Sequence, residues 1–466
     1  MLSKLKNIEV PHTYTLIIGF VVLAVILTYF VPAGTFEMVV DEETGRELIE
    51  PGSFQFIDQN PVGIGEFLMS IPEGMVQAAT IIFLVFIVGG SFQVINNTGA
   101  IDAIINLIIS KLNNALYVIP IIMVLMSILG AVGIVVNAVI AFIPIGVLLG
   151  KKLNLDPVVG ISVVYLGAYS GFTTSPMGPF NTILGQEIAG IPTLSGFWVR
   201  TLVWIAIFIT TVWYTMKYAK KVQKDKENSV LGSFEWENFI TKEENKSIDD
   251  FKLKHFLVLT VVLIGFVSYA YGSFNLGWGL NHMSAMMFGI ALVSGVLGRM
   301  HPDDMAESFI TGCKRMVFGA LVIGLAKAIT IVLTSGEVIH TIIYYMSLPL
   351  KSMAPFLSAI GMFWANLIFN FFVPSGSGQA MIVMPLLSPL ADVVGITRQV
   401  AVSAYQYGDG FANTIIPTSG VLMAALGVAG VGYEKWLKFM LPLFLRWVAI
   451  GTIMIGISAA VGWVGF

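Results

Sequence analysis

Long apolar runs separated by short polar segments are the main feature of this 466-residue chain. The runs recur from end to end at about 20 residues each, which is the length an α-helix needs to cross the hydrocarbon core of a bilayer. They predict membrane spans at 14–33, 76–95, 115–135, 194–217, 254–272, 282–298, 316–334, 353–373 and 440–463. Two further regions, 136–187 and 374–427, are apolar but interrupted by Gly, Pro and polar residues. The pattern therefore predicts an all-α polytopic membrane protein with two irregular embedded regions.

The composition also indicates a protein embedded in a lipid bilayer. Hydrophobic residues make up 56% of the chain and charged residues only 11%, whereas soluble domains carry about 25% charge. The single cysteine, Cys313, excludes an internal disulfide and a cysteine-cluster metal site, and the five histidines form no HxxxH or HExxH pattern. The first apolar run is too long for a signal-peptide core and lacks an A-x-A site, so we expect an uncleaved first span.

Basic residues cluster beside alternate spans, which predicts an orientation. Lys4 and Lys6 precede the first span, and five lysines follow the fifth span within 217–226. The positive-inside rule places these residues in the cytoplasm. We therefore expect a protein of the cytoplasmic (cell inner) membrane, with a cytoplasmic N-terminus, a cytoplasmic linker at 218–253 and the acidic stretch 41–54 outside.

The two halves of the chain match each other at an offset near 238 residues. "NTGAIDAII" (97–105) matches "TSGEVIHTII" (334–343), "SGFTTS" (170–175) matches "DGFANT" (409–414), and "WVR" (198–200) matches "WLK" (436–438), with Pro144 and Pro385 at comparable places. The span 254–272 reverses the direction of the second half. We therefore predict two inverted-topology repeats, 1–217 and 254–466, an arrangement typical of secondary transporters with a site between the halves.

Each half contains two segments with too many helix-breaking residues for a simple span. "GAVGIVVNAVIAFIP" (130–144) and "NFFVPSGSGQAMIVMP" (370–385) predict re-entrant hairpins, and "YLGAYSGFTTSPMGPFNT" (165–182) and "YQYGDGFANTIIPTSG" (405–420) predict unwound transmembrane helices. Irregular backbone at membrane depth is tolerated only when it is buried in protein or lines a cavity. Tight helix packing is the alternative explanation for the small residues. The candidate binding side chains are Asn137, Ser170, Thr173, Thr174, Ser175, Asn181, Ser375, Ser377, Gln379, Asn413, Thr414, Thr418 and Ser419.

Two ionisable residues fall deep within predicted membrane segments, Asp409 and Lys327. Intramembrane charge is costly and usually functional. Two interpretations remain open: a structural ion pair, or a site in which Asp409 binds a cationic substrate group or coupling cation while Lys327 tunes it or binds a carboxylate. Glu187, Arg200 and Arg446 lie nearer span ends, where we expect their side chains to extend to the interface.

Three segments resemble the anaerobic C4-dicarboxylate carrier family and its branch of basic amino-acid antiporters: "IEVPHTYTLI…FVPAGTFE" (8–37), "GAYSGFTTSPMGPFNT" (167–182) and "YQYGDGFANTIIPTSG" (405–420). The resemblance implies an inverted-repeat scaffold, often dimeric, with substrate groups at the hairpin tips and helix breaks. Those positions are Asn137, Thr173 to Ser175, Ser377 to Gln379, and Asn413 with Thr414. The hairpins carry "VVNA" and "GSGQ" in place of the Ser-Asn-Thr signature of related sodium symporters, so a sodium site at Asn137 and Asn413 stays open.

The sequence therefore predicts a transporter and not an enzyme. The preferred function is a basic amino-acid antiporter that exchanges arginine for ornithine by alternating access. The alternative is Na⁺- or H⁺-coupled transport of a C4-dicarboxylate or related acid. We expect no cofactor, no nucleic-acid partner and no firm metal site. A channel fits poorly with two doubly broken halves, and an enzyme fits poorly because no histidine accompanies the polar motifs.

Overall fold

The computed structural model describes residues 13–40, 47–50, 52–101, 103, 115–133, 135–232, 234, 236 and 252–465. Helices dominate this part of the chain, and each of the nine predicted spans coincides with one. The helices before the linker are α1 (Thr13–Phe30), α2 (Ile64–Gln77), α3 (Ala79–Asn97), α4 (Val118–Ala131), α5 (Ile143–Lys152), α6 (Pro157–Ile161), α7 (Gly167–Phe172), α8 (Leu184–Ile188) and α9 (Phe197–Lys224). The linker 218–253 is described only in part, since 233, 235 and 237–251 lie outside the described residues.

The second half begins with two long helices. Those two are α10 (Leu253–Asn275) and α11 (Leu280–Leu297). They are followed by α12 (Pro302–Arg315), α13 (Val317–Ser335), α14 (Ile339–Ser347), α15 (Pro355–Phe369), α16 (Gly376–Val394), α17 (Arg398–Ala412), α18 (Gly420–Ala429) and α19 (Tyr433–Ala460). Among the described residues, the apolar helices long enough to span a membrane are α3, α9, α11, α16 and α19. Helices α12 and α13 are bent by 42° relative to each other, and they form a sixth span if the pair is counted as one.

Two small antiparallel ribbons correct the all-α prediction. Strand β1 (Gly34–Thr35) pairs with β4 (Gln55–Phe56), and β2 (Met38–Val40) pairs with β3 (Glu47–Ile49). They lie within the segment between α1 and α2, which is too polar and too rich in Gly and Pro to form a span. Short ribbons satisfy its backbone polar groups without a helix.

Two helix pairs pack reciprocally: α2 packs on α13, and α3 packs on α12. Close contact requires glycine at both crossings. A Cβ added at Gly74 would lie 2.4 Å from the carbonyl oxygen of Gly324, and one added at Gly312 would lie 2.2 Å from that of Gly89. The crossings fix α13, and with it Lys327, against the rest of the core.

Candidate functional site

Each half of the chain contains a buried helix that stops and restarts. In the first half, a helix with a π-helical turn at Ser162–Leu166 ends at Phe172, and a second π turn begins at Pro179. In the second half, α17 ends at Ala412 and α18 begins at Gly420. Prolines lie in both gaps, where their missing N–H groups prevent a continuous helix. The structure therefore shows both predicted helix interruptions.

The two interruptions meet each other. A Cβ added at Gly410 would lie 2.6 Å from the Cα of Thr173. The hydroxyl of Tyr165 donates to the carbonyl oxygen of Asn413 over 3.0 Å, which ties the first broken helix to the second gap. Because a side chain at position 410 would separate the segments, glycine is needed for this contact.

Two turns face the interruptions at the predicted hairpin positions. The first tip, defined as residues 132, 133 and 135–137, follows α4 and leads into a 3₁₀ turn at Ala138–Phe142. The second tip, defined as residues 370–377, joins α15 to α16. Ser375 caps α16, since its Oγ accepts from the backbone N–H of Gly378 over 3.3 Å. The helix–turn–helix shape is present in both halves, and the re-entrant course of the hairpins remains a prediction.

A polar cavity of about 320 Å³ lies among the two tips, the second helix break and α13. Seven predicted site residues line it: Asn137, Lys327, Ser375, Ser377, Asn413, Thr418 and Ser419. Among the described residues, Lys327 is the charged side chain in this lining. The sequence did not single out the other polar lining residues, Gln77, Tyr169 and Thr330.

Asp409 is fully buried one layer behind the cavity wall. Its Oδ1 accepts hydrogen bonds from Nδ2 of Asn370 over 2.8 Å and from Nδ2 of Asn413 over 2.9 Å. Its Oδ2 has no hydrogen-bond partner in the described part of the chain. That oxygen faces Gly376, since a Cβ built there would lie 3.2 Å from it, and Gly376 itself lines the cavity. Little more than a glycine separates the free oxygen from the cavity.

Lys327 and Asp409 do not form an ion pair. Neither residue belongs to a side-chain ion pair closer than 4.0 Å in the described ranges, where such pairs include Arg398 with Asp392 and His301 with Asp303. The ion-pair interpretation is therefore wrong for this conformation. The structure places a lysine on the cavity and an aspartate behind its wall, and neither side chain has an ion-pair partner among the described residues.

The remaining predicted residues are buried away from the cavity. Backbone carbonyl groups accept hydrogen bonds from the side chains of Ser170, Ser175, Asn181 and Thr414. The hydroxyls of Thr173 and Thr174 have no partner in the described structure. The acceptors of the first four lie at or near the ends of α4, α7 and α17, which matches the helix-packing alternative considered for these side chains.

A buried amide network supports Asp409, and the sequence did not single out two of its members. Gln379 donates to Oδ1 of Asn366 over 2.9 Å, and Asn370 donates to Gln379 over 2.8 Å as well as to Asp409. Asn366 and Asn370 sit four residues apart in the apolar run 353–373. Two amides at helical spacing in such a run are the signal that could have identified them.

The expectation for Arg200 is wrong. Its side chain is fully buried and does not extend to the interface. It donates to Gln399, Ser403 and Gln406 on one face of α17, over 2.9, 3.0 and 3.0 Å, and to the carbonyl oxygen of Ser195 over 2.8 Å. Gln406 in turn donates to the carbonyl oxygen of Ser175 in the first break over 2.8 Å. Arg200 therefore joins α9, α17 and the first helix break.

Comparison with known proteins identifies the family. The sequence pattern of the C4-dicarboxylate anaerobic carrier family matches residues 10–460. The chain belongs to this family. An Escherichia coli K12 relative named "Putative basic amino acid antiporter YfcC" is 33% identical, with 96% of each chain covered. A Haemophilus influenzae protein described as uncharacterized is 26% identical, with 98% of each chain covered. The family resemblance read from the sequence is confirmed, and the chain is a multi-pass membrane transporter of a small molecule and not an enzyme.

Two solved transporters show distant structural similarity. The Alcanivorax borkumensis YdaH transporter aligns with a TM-score of 0.42 at 14% identity, covering 97% of this chain and 99% of its own. The Neisseria gonorrhoeae antimetabolite efflux pump MtrF aligns with a TM-score of 0.42 at 16% identity, covering 97% and 96%. Similarity at this level says nothing about the substrate of this carrier.

Proposed function

We propose that this carrier is a basic amino-acid antiporter that exchanges arginine for ornithine by alternating access. The observation that carries the proposal is the pair of unlike, unpaired charges at one site. Lys327 faces the cavity, and the free Oδ2 of Asp409 lies directly behind Gly376. Such a site fits a solute that bears both a carboxylate and a cationic group.

The proposed binding mode follows from those positions. The α-carboxylate of the substrate meets Lys327, and polar groups on the second tip and the second break donate to it. Its cationic group meets Asp409 when the second tip moves and Gly376 no longer covers Oδ2. Charge attraction is strong there because the site has a low dielectric.

Exchange coupling follows from the unpaired carboxylate. A buried charge without a partner is costly, so the empty carrier resists the conformational change that carries Asp409 across. A bound cationic substrate removes that cost in either direction. The 33% identical relative bears the name of a basic amino-acid antiporter, which also favours this substrate class.

The two-repeat organisation belongs to the same proposal. We infer inverted repeats at 1–217 and 254–466, with 254–272 as the connecting span and 218–253 as a cytoplasmic linker. The presence of one interrupted buried helix in each half and the reciprocal packing of α2 on α13 and α3 on α12 support it. We also propose residence in the cytoplasmic membrane, a cytoplasmic N-terminus and a homodimer.

A second candidate function is Na⁺- or H⁺-coupled transport of a C4-dicarboxylate. It is favoured by the cationic cavity lining at Lys327 and by the family description. Several buried oxygen atoms near the two breaks lack partners within the described structure, namely Asp409 Oδ2, Asn370 Oδ1, Thr173 Oγ1, Thr174 Oγ1 and Thr418 Oγ1. Such oxygens suit a coupling cation, with Asn137 and Asn413 as the further predicted sodium ligands.

Counterflow in proteoliposomes distinguishes the two functions. Vesicles are loaded separately with arginine, ornithine, succinate or fumarate, and uptake of each labelled solute is measured with and without a Na⁺ or H⁺ gradient. The antiporter proposal expects arginine and ornithine to exchange without either gradient. Exchange confined to the dicarboxylates would contradict it and favour the second candidate.

A further inference from the structure

A pocket with basic and aromatic walls lies on the outer surface between α9 and α19, away from the polar cavity. It has a volume of about 200 Å³ and is lined by Trp213, Tyr214, Lys217, Tyr218, Lys221 and Arg446. The Arg446 guanidinium lies 5.6 Å from the ring centre of Trp213 and 5.3 Å from that of Tyr214, and the Lys217 ammonium lies 4.9 Å from Trp213. Two cations therefore lie over two aromatic rings, and Lys221 adds a third basic side chain to the pocket lining.

The pocket opens on the side of α9 that faces lipid. Large apolar side chains are exposed along this side at three- and four-residue spacing: Trp198, Leu202, Ile205, Ile209 and Trp213, between 47% and 70% exposed. Residues at that spacing share one face of a helix. Lys217 follows Trp213 by four residues, so the basic residues begin where this apolar stripe ends.

Arg446 enters the pocket from an apolar stretch of α19. Leu445 beside it is 56% exposed, and Ile453 further along is 59% exposed. The two helices run antiparallel here, since Tyr214 bonds to the carbonyl of Phe439 and Trp447 bonds to Thr211. Arg446 therefore lies level with Trp213, where the apolar stripe of α9 ends, and its guanidinium lies over the aromatic rings near the start of the lysine cluster.

No carboxylate lines the pocket, and none of its three cations belongs to an ion pair in the described part of the chain. Cations at a lipid-facing position are costly unless an anion or an interface compensates them. Aromatic faces supply part of that compensation. The pocket therefore holds three basic side chains and no anion to compensate their charge in the described structure.

We propose that this pocket binds the phosphate of an anionic phospholipid headgroup. Arg446 offers paired N–H donors to the phosphate oxygens, and Lys217 and Lys221 add point charges. Trp213 and Tyr214 provide amphipathic rings of the kind found at the bilayer interface. Basic pockets between transmembrane helices are suited to such headgroups. Inorganic phosphate offers the same oxygen acceptors to these cations. The experiment therefore tests the phospholipid and inorganic phosphate separately.

The test compares two triple variants of equal charge. The pocket variant carries Lys217→Gln, Lys221→Gln and Arg446→Gln. The control carries Lys220→Gln, Lys224→Gln and Lys438→Gln, three exposed cations on the same two helices that do not line the pocket. Native mass spectrometry of the full-length protein is then titrated with phosphatidylglycerol, phosphatidylcholine or inorganic phosphate.

The proposal expects saturable binding of phosphatidylglycerol and much weaker binding of phosphatidylcholine. Each basic residue is expected to contribute roughly fivefold to phosphatidylglycerol affinity. The pocket variant should therefore bind phosphatidylglycerol about 100-fold more weakly, while the affinity of the control changes little. Equal losses in both variants would overturn the proposal, because they would reflect net charge alone. Inorganic phosphate that binds as tightly as the lipid would overturn it as well.

Discussion

Nδ2 of Asn370 lies 2.8 Å from Oδ1 of Asp409, while Oδ2 of the same carboxylate has no partner among the described residues. The amide network thus fixes one oxygen and leaves the other directed at Gly376 on the cavity wall. An arrangement built only for stability would satisfy both oxygens, because a buried polar atom without a partner costs free energy. The free oxygen is the basis of the proposed cation contact.

Asp409→Asn should abolish exchange while the protein still folds. The substitution keeps the shape of the side chain and removes its charge, so the cationic group of the substrate loses its partner. Loss of a buried charged partner corresponds to a decrease of at least about 100-fold in exchange rate. Counterflow measures it, and size-exclusion chromatography in detergent checks folding. Asp303→Asn, at an exposed position, is the control. A rate near wild type in Asp409→Asn would remove this residue from the mechanism.

Lys327→Gln should raise the KM for a carboxylate-bearing substrate by about 10- to 100-fold with little effect on stability. Lys327 pairs with no carboxylate in the described structure, so its removal leaves no buried partner charge. Concentration-dependent uptake gives KM, with the exposed Lys351→Gln as the control. Recovery of transport in Lys327→Ala by adding Asp409→Asn would indicate a structural ion pair and contradict this account.

Arg200→Gln should destabilise the protein by about 3 kcal/mol, because several buried acceptors on α17 and at Ser195 lose a charged donor. Thermal unfolding in detergent measures the loss. Arg200→Lys should recover only part of it, since an ammonium lacks the planar fork of the guanidinium. Arg299→Gln, at an exposed position, should change stability by less than about 0.5 kcal/mol. Equal unfolding temperatures for Arg200→Gln and Arg299→Gln would refute the structural role.

Gly410→Ala should force the two helix interruptions apart and reduce both stability and exchange. The new Cβ would lie 2.6 Å from the Cα of Thr173, and overpacking of this kind costs about 1–3 kcal/mol. Gly289→Ala in α11 is the matched control, since no atom lies within 4 Å of its added Cβ. That control should be neutral or slightly stabilising. A Gly410→Ala variant as stable and active as Gly289→Ala would show that the breaks need no close contact.

Much of the fold could be predicted because the bilayer imposes simple length and polarity rules on a chain. All nine predicted spans coincide with helices, and Pro and Gly marked both helix breaks. The ribbons between α1 and α2 were missed because strands of two or three residues leave no periodic pattern. Helix α12 was missed because its sequence, "PDDMAESFITGCKR", is too polar to be recognised as a span.

The site was harder to predict, since hydropathy does not show which side of a helix faces a cavity. Of the predicted polar residues, Lys327 and Asn413 line the cavity, whereas Ser170 and Ser175 hydrogen-bond to backbone carbonyls. Arg200 was assigned to the interface from its position near the start of a span. The burial of Arg200 is decided by its tertiary contacts with α17, and such contacts cannot be inferred from a single sequence.

Trans-stimulated uptake tests the central claim most directly. Labelled arginine is supplied to proteoliposomes that contain the wild-type protein and are either loaded with ornithine or left empty, with no ion gradient. The account predicts rapid uptake into ornithine-loaded vesicles and uptake near background in empty ones, because an unpaired Asp409 opposes return of the empty carrier. Equal uptake into both sets of vesicles, or none into either while succinate is exchanged, would contradict it.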